Sequence, residues 1–81
     1  MTIPPLKAIV TFEVVVRLGS ISKAADELSL TPSAVSHQIT NLEAQVGRKL
    51  FERTARGVDL TPAGERYQQS LAGAVRPDQQ E

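Results

Sequence analysis

Apolar residues along this chain recur at two different periods, and the change from one to the other divides it into elements. From Leu6, the positions Ile9, Val10, Phe12, Val15 and Val16 return every three or four residues, the spacing of one helix face. Pro4 and Pro5 precede this run and Gly19 follows it; proline suits a helix's first turn and glycine its end. Helix 1 is therefore predicted from about Pro5 to Leu18. Its valine-rich middle also fits a strand, but a run this long favours a helix. Ser20 or Ser22 can cap a short second helix ending at Leu28, with Ala24, Ala25 and Leu28 turned inward, because serine oxygen accepts a backbone N–H left unpaired in the first turn. Ser29 and Leu30 then lead to Thr31-Pro32, a capping residue followed by proline at the first helical position. A third helix should run from Pro32 to Val46, with Gly47 ending it in a left-handed conformation.

Beyond Gly47 the helical period gives way. Lys49-Leu50-Phe51-Glu52-Arg53 and Val58-Asp59-Leu60 read as two short strands joined by the glycine-containing turn Thr54-Ala55-Arg56-Gly57. Thr61-Pro62 repeats the cap-and-proline start, opening a fourth helix whose Ala63, Tyr67, Leu71 and Ala74 keep nearly one face and which Arg76-Pro77 should end. Residues 77–81 form a polar tail that cannot bury a face. The fold class expected is mainly α: a three-helix core, a two-stranded β-wing and a carboxy-terminal linker helix.

Helix 3 carries the chemistry. At about 100° per residue, Val35, Ile39, Leu42 and Val46 form a narrow stripe that must face a core. Ser33, Ser36, His37 and Thr40 lie on the opposite side; they are hydrogen-bonding groups without acidic charge, suited to base edges and phosphates in a major groove. A short helix, a brief turn and a longer helix with a polar outer stripe make the order of a helix-turn-helix, whose second helix enters DNA. Lys and Arg are absent between Ala24 and Gly47 and return at Arg48, Lys49, Arg53 and Arg56, so phosphate neutralisation falls to the wing and to Lys23.

Composition sets bounds on this picture. With 81 residues the chain is one small domain, near the lower limit for a single hydrophobic core. It has no cysteine and one histidine, His37, which leaves no disulfide framework, no thiolate metal site and no cofactor to propose. No apolar run approaches the roughly 20 residues of a membrane span, and the expectation is a soluble, cytoplasmic protein. Nine Lys and Arg balance nine Asp and Glu, so composition alone does not suggest DNA and the case rests on where the charges fall. Ser36, His37 and Glu43 invite comparison with a hydrolase, but Ser36 and His37 diverge by about 100° on a helix, and no enzyme is expected.

Several segments together resemble the amino-terminal domain of LysR-type transcriptional regulators: Gly19-Ser20-Ile21 before Ala24-Ala25-Asp26-Glu27-Leu28, Ala34-Val35-Ser36-His37-Gln38-Ile39 with Leu42-Glu43, Gly47, Leu50-Phe51-Glu52-Arg53, and Leu60-Thr61-Pro62-Ala63-Gly64. Each is weak alone, but their order and spacing are specific, and the likeness covers about Leu6 to Tyr67. It implies a winged helix-turn-helix over residues 1–60, a linker and dimerisation helix over 61–76, and an effector-sensing domain that this chain lacks, so the chain reads as part of a longer regulator. The implied function is sequence-specific binding of double-stranded DNA for transcriptional regulation, as a homodimer on a partly palindromic operator.

Residues expected at DNA are Ser22 and Lys23 of helix 2; Thr31, Pro32, Ser33, Ser36, His37, Gln38 and Thr40 at helix 3; and Arg53, Thr54 and Arg56 of the wing. Those expected at a dimer contact are Ala63, Tyr67, Leu71 and Ala74, although Tyr67 and Leu71 in a monomer would cover the domain's own core. Many relatives carry glutamine and proline where this chain has Pro32 and Ser33, and arginine where it has His37. The operator contacts are expected to differ accordingly, and binding through His37 to strengthen mildly toward acid. Two other readings stay open: a winged helix that docks another protein, and a self-sufficient helical dimerisation domain. The serines and threonine could also be an ordinary solvated helix face, and the wing arginines could simply guard an exposed strand edge.

Overall fold

The computed structural model describes residues 6–74, with side chains as far as Leu71. Its elements are α1 (Leu6–Leu18), α2 (Ile21–Leu28), α3 (Pro32–Val46), β1 (Phe51–Thr54), β2 (Gly57–Leu60) and α4 (Pro62–Ala74). The expected start of helix 1 at Pro5, the end of helix 4 at Arg76 and the tail 77–81 lie outside the described residues.

Local chemistry sets most of these bounds. Ser20, not Ser22, caps α2: its Oγ accepts from Lys23 N at 3.1 Å. Thr31 caps α3 in the same way, accepting from Ala34 N at 3.1 Å, with Pro32 in the first turn. Helices α1 and α3 stop at Gly19 and Gly47, at φ +64° and +83°, where glycine has no Cβ to strain. The end of α2 is less usual, because Ser29 takes the left-handed conformation, φ 59° and ψ 41°. Two bonds hold it there, Ser29 N to Asp26 O at 3.3 Å and Leu30 N to Ala25 O at 2.9 Å, the pair that satisfies a helix's last carbonyls.

Helices α1, α2 and α3 pack pairwise around Phe12, Val15, Ala24, Val35 and Leu42, all essentially inaccessible to water. Leu50 and Phe51, at the entry to the hairpin, extend the core, and Phe51 stacks obliquely on Phe12 at a centroid distance of 5.3 Å. Full burial of each large side chain contributes about 1.5–3 kcal/mol. Thr11 is the buried polar residue of this core among the described residues, and its hydroxyl donates to Gln38 Oε1 at 2.6 Å, so burial leaves it no orphaned donor.

Strands β1 and β2 pair antiparallel in the register Phe51↔Leu60, Glu52↔Asp59, Arg53↔Val58, Thr54↔Gly57. The first strand begins two residues later than the run from Lys49 suggested, since Lys49 and Leu50 are used to join the hairpin to the helices. Two close approaches seat the hairpin. At Gly57 a Cβ would collide with the Gly19 carbonyl oxygen, the acceptor of Val58 N at 3.2 Å. At Gly64 a Cβ would collide with the Leu50 carbonyl oxygen, which accepts from Thr61 N at 3.0 Å. Thr61 Oγ1 also donates to Lys49 O at 2.6 Å and accepts from Gly64 N at 3.0 Å. The wing is thus fastened to the α1–α2 corner at one end and to α4 at the other.

Candidate nucleic-acid interface

The outer side of α3 is the exposed ridge of the molecule. Ser33, His37 and Thr40 are exposed, in line with Thr31 and Pro32 just before them, while Val35, Ile39 and Leu42 are buried beneath. No acidic side chain stands on this ridge: the one carboxylate of α3, Glu43, is turned toward the hairpin, where Oε2 accepts from Leu50 N at 2.8 Å and Phe51 N at 3.2 Å.

Ser36 and Gln38 depart from the ridge in opposite directions. Ser36 is half-buried and lines an open groove between α3 and β1, with Ile21, Ile39, Thr40, Arg53 and Val58 around it. It also borders the adjoining groove toward Ser22, Pro32, Ser33 and Gly57. Gln38 lies on the other flank, half-buried against α1, with its amide oxygen committed to Thr11. Sequence reasoning grouped Gln38 with the DNA-facing residues, and the structure takes that oxygen away from them. The reason is rotational: a residue one step from His37 turns about 100° round the helix, and here the turn brings it to a buried hydroxyl that needs an acceptor.

Ser22 and Lys23 sit exposed in the first turn of α2, Ser22 at the edge of the second groove. Arg53 and Arg56 are exposed on the hairpin, and among the described residues neither they nor Lys23 lie in an ion pair. Arg17 and Lys49 do, with Glu27 and Glu43 respectively. Thr54 is half-buried, and its Oγ1 accepts from Arg56 N at 3.2 Å, which closes a turn in which Ala55 and Arg56 both keep negative φ. Its hydroxyl therefore shapes the wing tip. Thr31 likewise spends its oxygen on the cap.

The proposed dimer residues have a second setting. Ala63, Tyr67 and Leu71 are half-buried against the domain's own core, Tyr67 with its ring edge-on to Phe12 at 5.2 Å. The side chain of Ala74 lies outside those described. Sequence reasoning gave no structural role to Glu43 or Thr11, and to Thr61 only the cap of α4, which its bond from Gly64 N makes; its bond to Lys49 O was not foreseen. Glu43 left a signal, as the one Asp, Glu, Lys or Arg in α3.

No group of three or more His, Cys, Asp or Glu among the described residues could hold a metal ion, and no described helix is long and apolar enough to cross a membrane.

Comparison with known proteins agrees with this geometry. The bacterial regulatory helix-turn-helix proteins of the lysR family match residues 6–65. An uncharacterized HTH-type transcriptional regulator of Sinorhizobium fredii, y4mQ, is 57% identical over 60 residues, 74% of this chain and 20% of that protein. The HTH-type transcriptional regulator DsdC of Escherichia coli is 49% identical over 65 residues, 80% of this chain and 21% of its own length. The chain thus spans about one fifth of the length of these curated relatives. Among solved structures, the crystal structure of the BenM DBD/catB site 1 DNA complex superposes with a TM-score of 0.80 at 36% identity, covering 94% of this chain and 85% of that one. A full-length BenM structure matches with the same TM-score and identity over 25% of its chain. With three helices, a hairpin and a fourth helix in the same order, and a family match reaching from the start of α1 into α4, the chain belongs to the lysR family of bacterial regulatory helix-turn-helix proteins.

Proposed function

We propose that this domain binds double-stranded DNA in a sequence-specific manner to regulate transcription, with α3 in the major groove and the wing on the flanking backbone or minor groove. One observation carries the reading: the ridge of α3 presents Ser33, His37 and Thr40, with the one α3 carboxylate near them, Glu43, engaged by Leu50 N, Phe51 N and Lys49, beside a hairpin whose Arg53 and Arg56 are exposed and in no ion pair among the described residues. Neutral donors and acceptors suit base edges, and the guanidiniums suit phosphate. The BenM domain, whose structure is that of a DNA complex, supports the same use of this fold.

In this reading Ser22, Lys23, Thr31 and Pro32 approach the backbone at the start of the two helices, Ser36 and His37 discriminate bases, and Arg53 and Arg56 neutralise phosphate. Thr54 supports the wing tip. Helix α4 acts as a linker through which two copies pair on a partly palindromic operator, using the edges that Ala63, Tyr67 and Leu71 leave uncovered. Effector sensing belongs to a separate domain of a longer regulator, the domain works in the bacterial cytosol at the nucleoid, and it carries out no catalysis.

Selection of bound duplexes from a random pool, followed by fluorescence titration, tests this. The expected outcome is a defined site, affinity falling steeply with salt, and loss of sequence preference on Ser36→Ala or His37→Ala while Arg53→Ala weakens all duplexes alike. Enrichment of no sequence, with weak binding indifferent to salt, would instead mark the ridge as a protein-docking surface.

A further inference from the structure

Both ends of Glu43 serve the return from α3 to the hairpin. Its main-chain carbonyl accepts from Gly47 N at 2.8 Å and Arg48 N at 3.3 Å, closing the helix. Its carboxylate accepts from Leu50 N and Phe51 N and stands 3.7 Å from Lys49 Nζ, with only 11% of the side chain exposed. Phe51 is the first residue of β1, so this carboxylate ties α3 directly to the root of the wing.

We propose that Glu43 is a positioning residue for DNA binding: it sets the wing against α3, and so places Arg53 on the flanking phosphate, without touching DNA itself. This rests on the DNA-binding reading above. A two-stranded hairpin has little stability of its own, and its direction must be imposed at the root. Three polar ties do so: Gly19 O to Val58 N, Thr61 to Lys49 and Leu50, and Glu43 to Leu50 and Phe51. Of these, Glu43 alone belongs to α3.

Strand alternation carries the constraint outward. Side chains two apart share a face, so Arg53 leaves β1 on the side where Phe51 is locked into the core. There it enters the groove beside Ser36. A change in the direction of Phe51's backbone swings Arg53 away from that groove. Lys49 and the two amides also offset the carboxylate's charge, which would otherwise repel phosphate close to the interface.

The test uses the full chain, the selected duplex and a scrambled one, over a salt series. Wild-type protein that shows no preference for the selected duplex refutes the DNA-binding reading; with that preference present, the variants decide the role of Glu43. Glu43→Gln keeps the size but presents an amide N–H₂ toward the backbone donors, and Glu43→Asp keeps the charge but is one methylene short of spanning both amides. Both are expected to bind about tenfold more weakly, with a salt slope shallower by about one, and to retain their preference for the selected duplex. Arg53→Ala should cost the wild type affinity and cost either variant nothing more. An unchanged salt slope with additive effects of Glu43 and Arg53 would overturn the proposal. So would wild-type binding by Glu43→Asp, or the failure of both variants to fold by circular dichroism, since Glu43 would then maintain the domain and not aim its wing.

Discussion

Tyr67 packs its ring against Phe12, yet its hydroxyl is buried without a hydrogen-bond partner among the described residues. A buried group left unpaired costs about 1–3 kcal/mol, so Tyr67→Phe is expected to raise the urea midpoint with no change in slope. Desolvation also pushes the Tyr67 hydroxyl above its ordinary pKa. The folded state then holds that proton to higher pH than the unfolded chain does, and stability is lost as pH rises through the folded value. Urea melts should therefore show wild type losing ground to Tyr67→Phe above about pH 10; a gap constant with pH would mean that the hydroxyl is hydrated in the fold. Ser29 carries a different local cost, a left-handed backbone in a residue with a Cβ. Ser29→Gly should add about 1 kcal/mol by thermal or urea unfolding. The packing of Tyr67 on the core was one of the two settings its helix face allowed, but the chain gives no sign that its hydroxyl would lack a partner, nor of the backbone angle that Ser29 adopts.

At the scale of elements, the hairpin contains a contact that opposes its own formation. Register sets Glu52 directly opposite Asp59, both exposed, and like charges in that arrangement destabilise a strand pair. Asp59→Asn should stabilise the domain by about 0.2–1 kcal/mol, more at low salt than at high, as measured by thermal melts. The junction of β2 with α4 is far less tolerant. A methyl group at Gly64 meets both the Leu50 carbonyl oxygen and Leu60 Cδ2, so Gly64→Ala should lower stability by about 1–3 kcal/mol and lose the protection of the Thr61 amide in hydrogen exchange. Helix α3 was legible to within a residue and α2 at its end, because Thr31-Pro32 and Gly47 act on the backbone beside them, while the start of α2 stayed open between Ser20 and Ser22. The wing was legible as a hairpin but not in its bounds: Lys49 and Leu50 have strand-like composition and are drawn out of the ladder by Glu43 and Thr61, partners seven and eleven residues or more away.

For the whole molecule, a formal net charge of zero means that affinity for DNA depends on where charge is left available. Arg17 is held by Glu27 across α1 and α2, whereas Lys23 in α2 and Arg56 in the wing turn are exposed and in no ion pair among the described residues. In a salt titration, Lys23→Ala and Arg56→Ala should each flatten the slope of log affinity by about 0.9, the value of one phosphate contact, and Arg17→Ala should leave it unchanged. An equal effect of all three would mean that binding responds to total charge and not to its placement. Taken by itself, the sequence determined the helices, the hairpin, the apolar stripe of α3 and the polar one opposite, because periodicity and capping act between residues within a turn of one another. Tertiary structure alone decided that Gln38 serves Thr11, that Ser36 faces the wing, and that Glu43 grips the root of β1. Each of these depends on which neighbour a flanking residue meets across an interhelical gap, and a difference of one hydrogen-bond length there is invisible to any pattern along the chain.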